Sequence, residues 1–148
     1  MNAVPKDVNL GKVCELAEEY GLELVVLFGS RARGEARRQS DWDFAYLPCS
    51  AAELSLEKDL ELAARFAEAV GSDNVDAVRL DHAPPTLRKE VADSAIVLFE
   101  RQRGAFERFW LLSLKLYWDA AKMREMRRQA LDDWLKRLGL NYGQRSSR

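Results

Sequence analysis

The sequence predicts an α+β fold in two layers, a small β-sheet covered by helices, followed by one long C-terminal helix. Three observations carry that expectation. Short apolar runs rich in valine, leucine and aromatic residues recur at 22–28, 41–47, 75–80 and 95–99, the length of strands. Segments 7–20, 55–70 and 86–94 lie between them, with helical spacing of apolar residues clearest in the first two. From Ala105 to Leu138 neither proline nor glycine interrupts the chain, enough for a helix about 50 Å long.

Each element has its own signal. Leu10, Val13, Leu16, Ala17 and Tyr20 stripe the first helix, and Gly21 stands where a C-cap belongs. Leu22 to Phe28 is apolar except for Glu23, as a buried strand should be, and Gly29-Ser30 ends it. Arg31 to Ala36 is expected as a short helical turn. In the second strand, alternation puts Asp41, Asp43 and Ala45 on one face and Trp42, Phe44 and Tyr46 on the other. The aromatic face requires a core, whereas the aspartate face must meet solvent, a metal or a partner. The second long helix is expected to bury Leu56, Leu60, Ala63, Ala64, Ala67 and Val70, with Gly71 as its stop. The third strand sets Asp76, Val78 and Leu80 on one side. After Pro84-Pro85 come a short helix to Ser94 and a fourth strand from Ala95 to Phe99.

The final helix carries more apolar surface than one small sheet needs, among it Phe109, Trp110, Trp118, Met123, Met126 and Trp134. The surplus points to assembly through this helix, with further copies of the chain or with a different partner. The expected organisation is therefore a core over 1–102, a helical extension over 103–140 that packs on the core or a partner, and a flexible tail over 141–148.

The bulk numbers exclude several classes. A chain of 148 residues, 47% hydrophobic and 32% charged, is long enough for one domain with a genuine core. No apolar run approaches the roughly 20 residues that span a bilayer, and the N-terminus lacks a secretory h-region. Cys14 and Cys49 fit neither a disulfide framework nor a zinc site, so a cytoplasmic location is expected. The net charge of −1 conceals a division: 103–148 carries eleven Lys/Arg against five Asp/Glu, leaving −7 on the first 102 residues. A solvated helix face accounts for the basic end, and direct nucleic-acid binding is not expected.

The chemistry concentrates in "LFGSRARGEARRQSDWDFAYL", positions 27–47. Asp41 and Asp43 on one strand face lie about 6.6 Å apart along the chain. Carboxylates that close repel, and a divalent cation removes the conflict. Mg²⁺ takes hard oxygen ligands, and two such ions roughly 3.5–4 Å apart clamp both oxygens of an in-line displacement at phosphorus. Asp76 on a neighbouring strand is the candidate third carboxylate, with Asp81 a weaker competitor. Gly29 permits close backbone approach to a triphosphate, Ser30 adds a hydroxyl, and Arg31 and Arg33 bring positive charge. Arg37 and Arg38 read as surface charge, and His82 follows a strand end.

Gly29-Ser30-x-Ala32-Arg33-Gly34, ten residues to Asp41, Asp41-x-Asp43, and then Val75-Asp76-Ala77 together resemble the DNA polymerase β nucleotidyltransferase superfamily. The likeness is to its minimal nucleotidyltransferases, and it runs on through "APPTLRKEVADSAIVLFE" to Tyr117-Trp118-Asp119. The resemblance implies the small mixed β-sheet of the polymerase β-like fold. It implies that Asp41, Asp43 and Asp76 bind two Mg²⁺ ions and that Gly29 and Ser30 hold the triphosphate of ATP. Asp76 would also position or deprotonate the acceptor. Many such proteins are antitoxins of HEPN ribonucleases, and some transfer AMP from ATP to a tyrosine of the toxin. Trp42 and Tyr46 depart from the aliphatics common in that strand. Two alternatives stay open: a binding module that neutralises its partner by occlusion, and a transferase acting on a small molecule of the aminoglycoside kind.

Overall fold

The computed structural model describes residues 3–50 and 54–140, and the tail expected at 141–148 lies outside them. Element order is α1 (Leu10–Glu19), β1 (Leu22–Phe28), α2 (Ser30–Arg33), β2 (Trp42–Pro48), α3 (Leu56–Val70), β3 (Val75–Arg79), α4 (Pro85–Ser94), β4 (Ile96–Glu100) and α5 (Ala105–Arg137), with a 3₁₀ turn at Leu80–His82 after β3. The four strands form one mixed sheet in the order β3-β2-β1-β4. β1 lies antiparallel to both β2 and β4, while β2 and β3 run parallel. The expected α+β class and mixed sheet are what the chain adopts.

β1 is central because it is apolar on both sides. Leu22, Val25 and Leu27 face a core shared with α1 and α3; Leu24, Val26 and Phe28 face a second one shared with α4 and the start of α5. β2 divides the same way. Trp42, Phe44 and Tyr46 enter the first core, whereas Ala45 enters the second. Asp43, which shares Ala45's face, lies on the second side near the strand's beginning, and there functional chemistry is exposed.

Local chemistry sets the helix ends. The Asn9 side chain accepts from the Lys12 N–H at 3.1 Å, so α1 starts at Leu10 and not at Asp7, and Leu10 is left largely exposed. Ser55 caps α3 in the same manner. The buried face of α3 differs from the expected one. Leu62, Phe66, Ala69 and Val70 are buried, while Leu56 and Leu60 are 75% and 68% exposed. Two contacts set that rotation. Phe66 stacks on Phe44 with ring centroids 4.6 Å apart, and Asp59 turns inward to accept from the Tyr46 hydroxyl at 2.6 Å. Arg79 joins them, pairing with Asp59 at 3.3 Å and Asp81 at 2.7 Å and donating to the Leu54 carbonyl at 2.8 Å. Asp81, considered above for a metal, is thereby committed to Arg79.

On the opposite face, buried Arg88 of α4 donates to the Leu80 carbonyl at 2.9 Å and lies over the Phe109 ring. This contact ties the end of β3 to α4 and α5. α5 is a single helix of 33 residues whose buried positions, Ala105, Phe109 and Ser113, all fall in its first third. Tyr117 still lies against Lys89 of α4, and beyond it the helix leaves the body, with Trp118, Met123, Met126, Leu131, Trp134 and Leu138 exposed.

Candidate active site

The C-terminal end of β1 and the N-terminal ends of β2 and β3 meet at one edge of the molecule. The Trp42 N–H donates to the Asn74 carbonyl at 2.8 Å, which sets the parallel register. In that register Asp43 lies directly across from Asp76, and Phe28 lies across from Asp43 on the other side. Paired residues of neighbouring strands project to the same face about 5 Å apart, so both carboxylates leave the sheet together. Asp41 is the last loop residue before β2, two positions from Asp43 and of the same parity.

Burial grades across the three: Asp43 is half-buried, whereas Asp41 and Asp76 are exposed. Burial raises the Asp43 carboxyl above its ordinary range, and the charges of Asp76, Asp41 and Glu90 raise it further, with Arg33 opposing them. Among the described residues no three acidic, imidazole or thiol groups stand close enough to hold one ion as placed.

Gly29 completes the corner. With φ of +75° it turns the chain out of β1, and its carbonyl accepts from the Ala32 and Arg33 N–H groups at 3.1 Å each. A Cβ at this position would collide with the Asp43 carboxylate. The glycine is therefore required twice, for its backbone angles and for the room it leaves beside an acid. Ser30 follows as the first residue of α2 and is half-buried.

The two arginines have different surroundings. Arg31 donates to the Ser40 carbonyl through Nη2 at 2.9 Å and through Nε at 3.3 Å, and its guanidinium lies 4.3 Å from the centre of the Trp42 ring. It braces the loop that presents Asp41, where the sequence pattern suggested contact with phosphate. The loop is also stapled by Ser40, whose hydroxyl accepts from the Arg37 N–H at 2.8 Å. Arg33 is exposed, paired with Glu35 at 3.0 Å, and its charge is felt at Asp43. His82 is exposed and sits 3.8 Å from Asp81. Glu90 of α4, absent from the expected set, brings a further negative charge to Asp43. It stands on the exposed side of its helix, and only the packing of α4 on the sheet gives it that neighbour.

The donor set suits a hard divalent cation: oxygen ligands only, from two adjacent strands and the loop that leads into β2, with one carboxyl driven toward protonation by burial and then by its neighbours. Gly29 leaves space where a polyanion can approach the same corner.

Comparison with known proteins gives the fold its relatives. The model of the family described as Polymerase beta, Nucleotidyltransferase matches residues 12–104. The chain is 29% identical over 126 residues to the protein adenylyltransferase MntA of Aphanizomenon flos-aquae (strain 2012/KM1/D3), covering 80% of this chain and 84% of the relative. Among solved structures it is similar to a toxin–antitoxin with AMP-PNP, at a TM-score of 0.67 and 28% identity over 86% of this chain and 99% of the other. It is also similar to a chain of the tri-AMPylated Shewanella oneidensis HEPN toxin in complex with its MNT antitoxin, at a TM-score of 0.61 and 26% identity, covering 86% and 96%. The matched span holds the Gly29-Ser30 corner, all three aspartates and the whole sheet, and on that ground the chain belongs to the polymerase beta nucleotidyltransferase family.

Proposed function

We propose that this chain is a Mg²⁺-dependent protein adenylyltransferase that moves AMP from ATP to a tyrosine hydroxyl of a HEPN-family ribonuclease and so acts as that toxin's antitoxin. One observation carries the reading: Asp43 and Asp76 pair across β2 and β3 beside Gly29, with Asp41 two residues upstream. The relatives support the acceptor, since one is named a protein adenylyltransferase and another is an MNT antitoxin in complex with a tri-AMPylated HEPN toxin.

In this reading Asp41, Asp43 and Asp76 hold two Mg²⁺ ions, which supply the positive charge that steadies the attacking and leaving oxygens of an in-line displacement. Gly29 and Ser30 receive the triphosphate, and Arg33 adds charge at the mouth. Arg31 keeps the 34–41 loop, and with it Asp41, in place. Asp76, the most open of the acids on the sheet, orients the acceptor hydroxyl and takes its proton. The acceptor oxygen bonds to the α-phosphorus, the bond from that phosphorus to the β-phosphate oxygen breaks, and pyrophosphate leaves. Such catalysis consists of positioning and charge neutralisation. Replacing Asp41 or Asp43 by Asn should lower transfer of labelled AMP to the partner by about 10²-fold or more, with an unchanged circular dichroism spectrum. Equal labelling by variant and wild type would overturn the assignment.

A second reading draws on α5, whose exposed apolar row gives a partner a surface without chemistry. Full rescue of toxin-expressing cells by Asp43→Asn would favour neutralisation by occlusion.

A further inference from the structure

Asp76 lies on β3, which among the described strands pairs with β2 alone and forms the edge of the sheet. An edge strand offers backbone N–H and C=O groups to a second chain in extended conformation. Beside the start of this edge runs a trough of about 630 Å³, lined by Ala63, Ala64, Ala67, Gly71 and Val75 together with the polar Glu68, Ser72 and Asp73. Its wall is made by the part of α3 that rotated away from the core, so small apolar side chains face outward where the helical pattern suggested burial. Val75 is next to Asp76, and alternation along β3 sends these two to opposite faces of the sheet.

We infer that the acceptor reaches this enzyme as an extended segment laid along the outer edge of β3, with its modified residue on the Asp76 face and the residues flanking it directed toward the α3 trough. The inference rests on the transferase reading above and deepens it by stating the form of the substrate. An added strand brings every second side chain to the face that carries Asp76 and Asp43. The period of two also sets a sequence requirement. The positions immediately before and after the acceptor tyrosine should be small, because three alanines and Gly71 leave the room that the trough offers between Glu68, Ser72 and Asp73.

Two measurements test this on the full-length chain, using as the probe a HEPN-family protein that binds it and is assayed for labelling with AMP. Hydrogen exchange of the complex reads the surface without chemistry: amides of 75–79 should gain protection on binding. Steady-state labelling reads the trough. Ala64→Glu, a change at an exposed helical position, should raise KM for the HEPN protein about tenfold at an unchanged KM for ATP, a difference of roughly 1.4 kcal/mol. Transfer at wild-type KM by Ala64→Glu, together with unprotected β3 amides, overturns the inference and leaves the transferase reading standing. Protected β3 amides with no AMP transfer by the wild type would uphold the docking edge and refute the chemistry.

Discussion

Asp43 carries the clearest residue-scale consequence. Burial first, and then Asp76, Asp41 and Glu90, raise its carboxyl above the ordinary range. A carboxyl whose pKa is higher folded than unfolded stabilises the fold at low pH. That contribution disappears as pH rises through the folded value, so at neutral pH the ionised group works against the fold. Asp43→Asn should therefore raise the Tm of the metal-free protein at pH 7–8. The gain should shrink on acidification and vanish below about pH 4, where the unfolded aspartate is itself protonated. A variant no more stable than wild type at pH 7.5 would mean that Asp43 is not strained by its neighbours. Adjacent residues show what a sequence can disclose at this scale. The strand faces of Asp41, Asp43 and Asp76 and the turn at Gly29 were legible because alternation and turn chemistry are local, whereas the pairing that sets Asp76 across from Asp43 rested on the family resemblance as much as on spacing. Arg31 was not, because its partners, the Ser40 carbonyl and Trp42, depend on the path of the intervening loop. Glu90 was invisible for the same reason, since nothing around it in the chain marks it as a neighbour of Asp43.

At the scale of elements, strands read more accurately than helix faces. β1 and β2 came within a residue or so of their observed limits, because alternation and continuous apolar runs leave little freedom. α3 kept its expected length, yet its buried face turned. Leu56 and Leu60 lost to Phe66 because a stacked aromatic pair and the Tyr46–Asp59–Arg79 cluster decide the rotation, and both lie across from the helix, not within it. A pair of variants separates the two phases. Phe66→Ala should cost about 3–5 kcal/mol in denaturant unfolding, whereas Leu60→Gln should stay within about 0.5 kcal/mol. Comparable losses at both positions would return Leu60 to the core. α5 divides in a similar way. Its last contact with the body is Tyr117 against Lys89 of α4, so a chain ending at Ala121 should melt within about 3 °C of the full length while losing association with the proposed HEPN-family partner. A large fall in Tm would show that the distal half supports the fold.

Across the whole molecule, charge, topology and site align. The sheet places three acids at one edge, where β1 turns out through Gly29 and β3 has no outer neighbour among the described strands. Helices cover both faces of the sheet, α2 starts at that corner, and the distal part of α5 leaves the body. No helix among the described residues is long and apolar enough to cross a membrane. The acidic body and the basic, partly apolar overhang are distinct surfaces, one fitted to chemistry and the other to contact. The most direct test of the central claim counts Mn²⁺ by electron paramagnetic resonance in the presence of AMP-PNP. The wild type should bind about two ions per chain and Asp43→Asn should bind none above background; equal occupancy in the two proteins would contradict a cation site built on these aspartates.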